Sequence, residues 1–226
     1  MSERTAPMSA AAAAPSPTLA ELALADDPDR WRALGFDVAD GCCQLGSVGL
    51  RLLGRAAGRG LLGLSLRALR SVELDGLVAS RSSAPSRTPA GEHPNGVIDI
   101  DHVVAMSPAL DRTVQALQTA GLDLRRIREE PTAAGAPRQA FFRLGEVILE
   151  VIQMPPAAVE RAGGEDMPTR LWGLALNAHL DRALTALAPH VGAAHAAVQE
   201  GRRIATLRRS ADLAIPVALM SPAPAR

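Results

Sequence analysis

The residues best placed to do chemistry are one histidine and one glutamate that interrupt apolar strand patterns. His102 lies in "VIDIDHVVAM" and Glu150 lies in "GEVILEVIQ". Because side chains alternate between the two faces of a strand, His102 is expected to share a face with Ile98, Ile100 and Val104. An imidazole and a carboxylate together suit a divalent ion such as zinc, iron, nickel or manganese. They can also form a structural hydrogen bond without any metal.

An internal repeat predicts the elements that position these two residues. "QLGSVGLRLLG" (44–54) and "RLGEVILEVIQ" (143–153) share a Leu-Gly step followed by an apolar strand. Upstream of each lie an apolar strand, a turn with Pro and Asp, a short amphipathic helix and a further strand. A third copy begins at 171, and "LLGLSLRA" (61–68) matches "LWGLALNA" (171–178) as the trace of a fourth. The repeated unit is therefore one strand, one helix and about three more strands.

Modules of this kind, with "IDHVV" at the start and "GEVILEVI" at the end, resemble the vicinal oxygen chelate superfamily, the glyoxalase, bleomycin-resistance and extradiol dioxygenase group. The resemblance implies an α+β fold in which tandem βαβββ modules form an open cup of eight strands with helices outside. The expected organisation is a disordered tail (1–17), a degenerate and incomplete βαβββ module (18–70), a loop or linker (71–96) and two paired modules spanning 97–222 (97–155 and 170–222).

The resemblance also implies where a metal would be bound. Metal-binding members of the superfamily take ligands from the first and the last strand of each module. His102 and Glu150 occupy those two positions in their module, so we expect them to project into one cavity and to meet directly or through one water or ion. The partner module departs from the pattern, because Gly173 aligns with His102 and Pro216 aligns with Glu150. Neither can ligate a metal through its side chain.

The remaining candidate ligands leave three interpretations open. A catalytic metal usually has three protein ligands, and the partner module offers His179, His190 and His195, of which His195 is nearest to a strand that could face the cup. The alternatives are a bound divalent metal, a metal-free pocket and a purely structural pair.

In the N-terminal copy the same positions hold Glu21 and Arg51, which predict an ion pair rather than a metal site.

Several other side chains are candidates for the walls of a pocket. One of Phe141 and Phe142 must face the cup if "RQAFFRLG" is a regular strand, and we take Phe142 as the substrate-binding candidate. Trp172 lies beside the Gly173 position. Gln199 belongs to "AVQEGRRIATLRR", whose arginines could hold a carboxylate or a phosphate.

The amino-acid composition limits the classes of binding partner that we expect. The 226 residues carry 24 basic and 24 acidic side chains, every basic one an arginine, as expected of a GC-rich bacterial genome. They form no basic stripe, so nucleic acid is not an expected partner. No apolar run approaches the roughly 20 residues needed to cross a bilayer, and the first residues do not predict a secretory signal. We expect a cytoplasmic protein that binds a small molecule, with a homodimer as one arrangement.

Three functional classes fit these observations. The first is a metal-assisted lyase, isomerase or dioxygenase acting on a small molecule. The second is a metal-free glyoxalase-like enzyme or binder in which His102 is a general base and Glu150 orients it. The third is a sequestering or regulatory domain without catalysis. Whether the chain is an enzyme stays open at this point.

Overall fold

The structure is a computed structural model that describes residues 15–131, 135 and 137–223. Residues 1–14, which make up most of the tail expected over 1–17, lie outside the described residues. None of the helices in the described ranges is both long and apolar enough to span a membrane.

The N-terminal part forms a six-stranded sheet. Its strands are β1 (Thr18–Ala25), β2 (Val38–Ala39), β3 (Cys42–Leu45), β4 (Val48–Leu52), β5 (Gly60–Arg67) and β6 (Ala79–Arg81), in the order β2-β3-β4-β1-β5-β6. Helix α1 (Pro28–Ala33) follows β1, and the carboxylate of Asp27 accepts a hydrogen bond from the backbone N–H of Asp29 at its start. β1 pairs parallel with β4 and antiparallel with β5.

The segment 71–96 is more than the loop or linker predicted from its composition. It contains β6, which pairs parallel with β5. Two of its residues, Leu74 and Leu77, are buried in the core. β5 and β6 thus hold the positions of the first and last strands of a second N-terminal module, joined directly by residues 68–78.

The C-terminal part forms an eight-stranded sheet from two modules. The first contributes β7 (Val97–Ser107), α2 (Leu110–Thr119), β8 (Asp123–Arg128), β9 (Gln139–Leu144) and β10 (Val147–Gln153), and α3 (Pro156–Ala162) follows it. The second contributes β11 (Arg170–Ala178), α4 (Leu180–Ala186), β12 (His195–Ala196), β13 (Arg203–Thr206) and β14 (Val217–Met220). The strand order is β12-β13-β14-β11-β7-β10-β9-β8, an open sheet that confirms the expected cup.

The sheet has an approximate internal symmetry. β7 and β11 pair antiparallel at its centre, and each pairs parallel with the last strand of its own module, β10 and β14. The first and last strands of each module therefore lie side by side. This pairing brings residues 48 positions apart in the sequence, such as His102 and Glu150, onto neighbouring strands.

One continuous hydrophobic core joins the two sheets. It includes Trp31 and Leu50 from the N-terminal part and Phe142, Leu149 and Leu176 from the C-terminal part. Helix α2 adds the side chains of its apolar face, which is buried against the outer side of the larger sheet. The opposite face of that sheet is left to line a cavity.

Polar contacts also join the two parts. The buried carboxylate of Asp26 accepts hydrogen bonds from the Trp31 indole N–H, 3.0 Å away, and from the backbone N–H of Ala214, 2.9 Å away. Arg30 donates to the carbonyl of Ser210. The N-terminal part is therefore fixed against the loop that precedes β14.

Candidate functional site

His102 and Glu150 meet on the cup face of the eight-stranded sheet. In the parallel pairing of β7 and β10, Ile148 lies opposite His102 and Glu150 lies opposite Val104. The two polar residues are therefore diagonal neighbours. His102 Nε2 lies 3.2 Å from Glu150 Oε2, within hydrogen-bonding distance.

A β-bulge adds a third polar residue to the pair. Ala175 of β11 pairs with His102 and Leu176 pairs with Ile100, which leaves Asp101 without an opposing residue. Asp101 therefore lies beside His102 on the cup face, and its Oδ2 is 2.7 Å from His102 Nδ1. The bulge also corrects the expectation that Ile100 shares a face with His102, because Ile100 is 2% exposed and lies in the core.

Asp101 is held as a carboxylate by a buried arginine. Arg202 Nη1 lies 2.8 Å from Asp101 Oδ1, and the Arg202 side chain is only 7% exposed. Burial raises the pKa of Asp101, but hydrogen bonds and charge from His102 and Arg202 outweigh burial, and the net result is a lowered pKa. An ionised Asp101 accepts from Nδ1–H of His102, so the imidazole presents Nε2 to Glu150.

Glu150 has the opposite electrostatic setting. Burial raises its pKa, and the charge of Asp101 adds to the rise, while His102, Arg126 and a hydrogen bond donated by the Gln139 amide oppose it. The net effect is a raised pKa. A carboxyl group with a raised pKa beside an imidazole is a suitable partner for proton exchange.

These polar groups line one cavity of about 430 Å³. Asp101, His102, Gln139 and Glu150 form its polar floor. Apolar side chains from both modules form much of its wall: Phe141, Ile148, Ala197, Val198, Ile204 and Met220. Three arginines of β8, namely Arg125, Arg126 and Arg128, complete the lining together with Gln199. The volume suits a small organic molecule.

Solved structures share this architecture. A xylose isomerase-like TIM barrel/4-hydroxyphenylpyruvate dioxygenase fusion protein matches with a TM-score of 0.56 at 12% identity, over 94% of this chain and 51% of its own. This chain thus spans about half the length of that fusion protein. Methylmalonyl-CoA epimerase from Mycobacterium tuberculosis matches with a TM-score of 0.45 at 18% identity, over 57% of this chain and 90% of its own. At these identities the likeness concerns the fold alone, and the fusion protein, with a TM-score above 0.5, supports it.

The chain has the vicinal oxygen chelate fold. No protein-family model and no curated protein matches the sequence. The likeness concerns the fold, so the chemistry has to be inferred from the residues of the cup.

The donor atoms of this cup do not fit the divalent metal that the fold implies. Asp101 and Glu150 contact opposite edges of the His102 ring, so the two carboxylates cannot reach one ion together with that imidazole. In the partner module, Gly173 and Pro216, which the sequence aligns with His102 and Glu150, pack so closely that a Cβ on the glycine would lie 2.8 Å from the Pro216 carbonyl oxygen. Over residues 15–131, 135 and 137–223, no three His, Cys, Asp or Glu side chains are grouped to bind a metal.

The three histidines considered as a third ligand do not line this cavity. His179 Nε2 is 3.0 Å from Glu92 Oε2, and His190 contacts Ser210. His195, the expected third ligand, lies on β12 with its Nδ1 3.1 Å from the Ala196 carbonyl and is exposed. None of the three lines the His102 cavity.

The three residues predicted to bind substrate lie in different environments in the structure. Gln199 lines the cavity and accepts a hydrogen bond from Arg202. Phe142 does not, since it is fully buried in the core opposite Leu149; Phe141 forms the cavity wall instead. Trp172 is 49% exposed and lies in a separate cavity with Met106 and other apolar residues.

Sequence reasoning missed Asp101, Gln139 and the arginines of β8 as cavity residues. One signal was present, because adjacent polar residues such as Asp101 and His102 in an apolar strand break the two-residue alternation and indicate a bulge. β8 has a similar register shift between Leu124 and Arg126.

Proposed function

We propose that this vicinal oxygen chelate-fold protein binds a small organic molecule in the His102 cavity and moves a proton on it through the Glu150–His102 pair. The observation that carries the proposal is the row Asp101–His102–Glu150, with contacts of 2.7 Å and 3.2 Å on the two ring nitrogens, open to a cavity of ligand size.

The row can store and release one proton. Asp101 stays ionised, so the proton on Nδ1 is fixed and the exchangeable proton lies between His102 Nε2 and Glu150 Oε2. It can reside on the carboxyl group beside a neutral imidazole, or on the imidazole beside a carboxylate. The charged Asp101 stabilises the second state.

This arrangement suits proton abstraction next to an electron-withdrawing group. The Glu150 carboxylate takes a proton from a ligand C–H bond, and the bonding electrons move into the adjacent carbonyl group to give an enolate. The proton can pass to His102 and return to another carbon or to the other face of the same carbon, which is isomerisation. Loss of a β-substituent from the enolate would instead be a lyase reaction.

A dioxygenase function is less well supported than these two reactions. It would need an iron held by about three protein donors with open positions for substrate and oxygen. Among the described residues, His102 and Glu150 face each other across a hydrogen-bonding distance and lack a third donor.

Ligand binding without catalysis is the second candidate, and one observation favours it. The ionisable groups of the row already have protein partners: Arg202 holds Asp101 and Gln139 holds Glu150. The cavity wall is largely apolar, and the polar groups of its floor are hydrogen-bonded to other protein groups. Such a cavity can sequester a ligand without reacting with it.

Deuterium labelling separates the two candidates. The protein is incubated in D₂O with a metabolite extract of the cell that makes it, and mass spectrometry identifies compounds that gain deuterium. We expect at least one compound to be labelled by the wild type and not by Glu150→Gln. Identical labelling by both proteins, or no labelling by either, would contradict proton transfer and leave the sequestering function.

A further inference from the structure

The cavity has a positively charged wall that the proton-transfer row does not use. The register of β8 and β9 shifts between Leu124 and Arg126, so the intervening Arg125 lies beside Arg126 on the cavity side. Arg128 lies two residues further along the same face. All three arginines line the cavity.

Two of these guanidinium groups have no carboxylate partner in the described part of the chain. Arg125 is 3.2 Å from Asp123, whereas no ion pair with a described carboxylate forms at Arg126 or Arg128. The buried Arg202 differs from them, since Asp101 already neutralises it. The wall formed by Arg126 and Arg128 therefore presents positive charge to the cavity without an internal counter-ion.

Arg126 is also held in place. Its guanidinium carbon lies 4.6 Å from the centre of the Phe141 ring, which faces it directly across the strand pair. A guanidinium stacked on an aromatic face keeps its N–H donors free at the edge of the group. The donors remain available to an oxyanion in the cavity.

We propose that the ligand is an organic anion, a carboxylate or a phosphate ester, whose oxyanion is bound by Arg126 and Arg128 and whose apolar part lies against Phe141. The placement of its reacting carbon at Glu150 rests on the proposed function. The binding of the anion does not.

The strand register sets the length of such a ligand. Glu150, Phe141 and Arg126 lie opposite one another on three successive strands, β10, β9 and β8. Two strand spacings amount to about 10 Å between the Cα atoms of Glu150 and Arg126. The side chains of Glu150 and Arg126 both extend from their strands into the cavity. A molecule the size of a phenyl-substituted short-chain acid can therefore contact both of them.

The bound anion would also act on the general base. Burial raises the pKa of Glu150, and the charge of Arg126 opposes this rise. An oxyanion on Arg126 screens that charge, so the Glu150 carboxylate becomes a stronger base when the ligand is in place. Charge recognition and proton abstraction are thus coupled through one arginine.

Calorimetric titration with three related probes tests the inference: hydrocinnamate, its neutral amide and phenyl phosphate. Because a hydrogen bond between two charged groups is stronger than one between a charged and a neutral group, we expect at least one anion to bind the wild type about tenfold or more tighter than the amide. The tighter of the two anions identifies the ligand as a carboxylate or a phosphate ester.

Matched arginine variants locate the binding. In Arg126→Gln/Arg128→Gln the preference for the anion should fall to about equal binding. It should persist in Arg143→Gln, because Arg143 lies on the neighbouring strand outside the cavity and donates to the Gly145 carbonyl. Failure of both anions to bind, equal binding of anion and amide by the wild type, or a preference that survives the double substitution would overturn the inference.

The same assay separates this inference from the proposed function. Glu150→Gln should retain the preference for the anion even where it abolishes deuterium labelling. Labelling that depends on Glu150 without any preference for anions would overturn the anion site alone. A preference for anions without labelling would overturn the proton transfer alone.

Discussion

The two sheets of this protein carry a polar pair at the same module position with opposite outcomes. On the six-stranded sheet Arg51 donates two hydrogen bonds to Glu21, of 2.9 Å and 3.1 Å, as the sequence indicated. On the eight-stranded sheet an imidazole faces a carboxyl group inside a cavity. The first pair neutralises itself at the surface, whereas the second can exchange a proton.

Both the residue types and their surroundings cause this difference, because arginine stays protonated in proteins whereas an imidazole can gain or lose a proton near neutral pH. The Arg51 side chain is 55% exposed, and Arg87 brings a second guanidinium to Glu21. In the larger sheet, burial raises the pKa of Glu150, and Asp101 fixes the proton on the far side of the ring. Desolvation of two titratable groups in contact is what makes this polar pair reactive.

The largest expected effect is on proton transfer. Glu150→Gln should lower Glu150-dependent deuterium labelling at least about 100-fold, the usual contribution of a general base. Glu21→Gln, its counterpart on the six-stranded sheet, should leave the labelling rate unchanged. A loss of labelling in both variants, measured by mass spectrometry, would show that the two sheets do not differ in the way we describe.

The second-largest expected effect is on the free energy of unfolding. Asp101→Asn leaves the buried guanidinium of Arg202 without its carboxylate and should lower the free energy of unfolding by about 3 kcal/mol. Arg51→Gln removes an exposed ion pair and should lower it by less than about 1 kcal/mol. Urea denaturation of both variants measures the contrast, and equal losses would contradict it.

Much of the fold could be predicted from the sequence because it rests on repeated local signals. The Leu-Gly steps at Gly46 and Gly145 mark turns of positive φ before β4 and β10, and apolar alternation predicts the strands beside them. The cup and its pairing of first and last strands are confirmed. The proximity of His102 to Glu150 follows from that pairing.

The remaining details depend on register, which the sequence does not reveal. The bulges at Asp101 and Arg125 break alternation and move one extra side chain to the cup face. The orientation of Phe141 and Phe142 depends on the pairing of β9 with β10. The second strand of the third copy is short, because only His195–Ala196 forms β12 and the chain turns at Glu200 and Gly201.

A smaller effect is the pH dependence of stability. Glu150 has a raised pKa in the folded state, so ionisation of its carboxyl group disfavours folding. The stability that the protonated carboxyl group contributes is complete below the ordinary pKa of 4.5 and is lost as the pH rises through the folded-state pKa. The wild type should therefore lose stability relative to Glu150→Gln as the pH rises above 4.5.

A second glutamate gives a control of opposite sign. A hydrogen bond from Arg138 lowers the pKa of Glu129, so the wild type should gain stability relative to Glu129→Gln as the pH rises through the acid range. Urea titrations across the pH range measure both slopes. Slopes of the same sign would contradict the electrostatic setting assigned to Glu150.

The smallest effect lies on the six-stranded sheet, where the two faces of β3 differ. Burial, with the charges of Cys42 and Asp37, raises the pKa of Cys43 to about 12. Cys42 is partly exposed. Iodoacetamide at about pH 8 should modify Cys42 and leave Cys43 unmodified, because the thiolate is the reacting form. Peptide mapping that finds Cys43 modified first would show that this face is not core.

Nitrogen NMR of the histidine rings tests the central claim most directly, that His102 and Glu150 share one proton in the C-terminal cup. The chain has 5 histidines, few enough to resolve. We predict that His102 carries a proton on Nδ1, where Asp101 accepts it, and that Glu150→Gln shifts the Nε2 resonance of His102 while the other four histidines do not change. A His102 ring spectrum unaffected by Glu150→Gln would contradict the account.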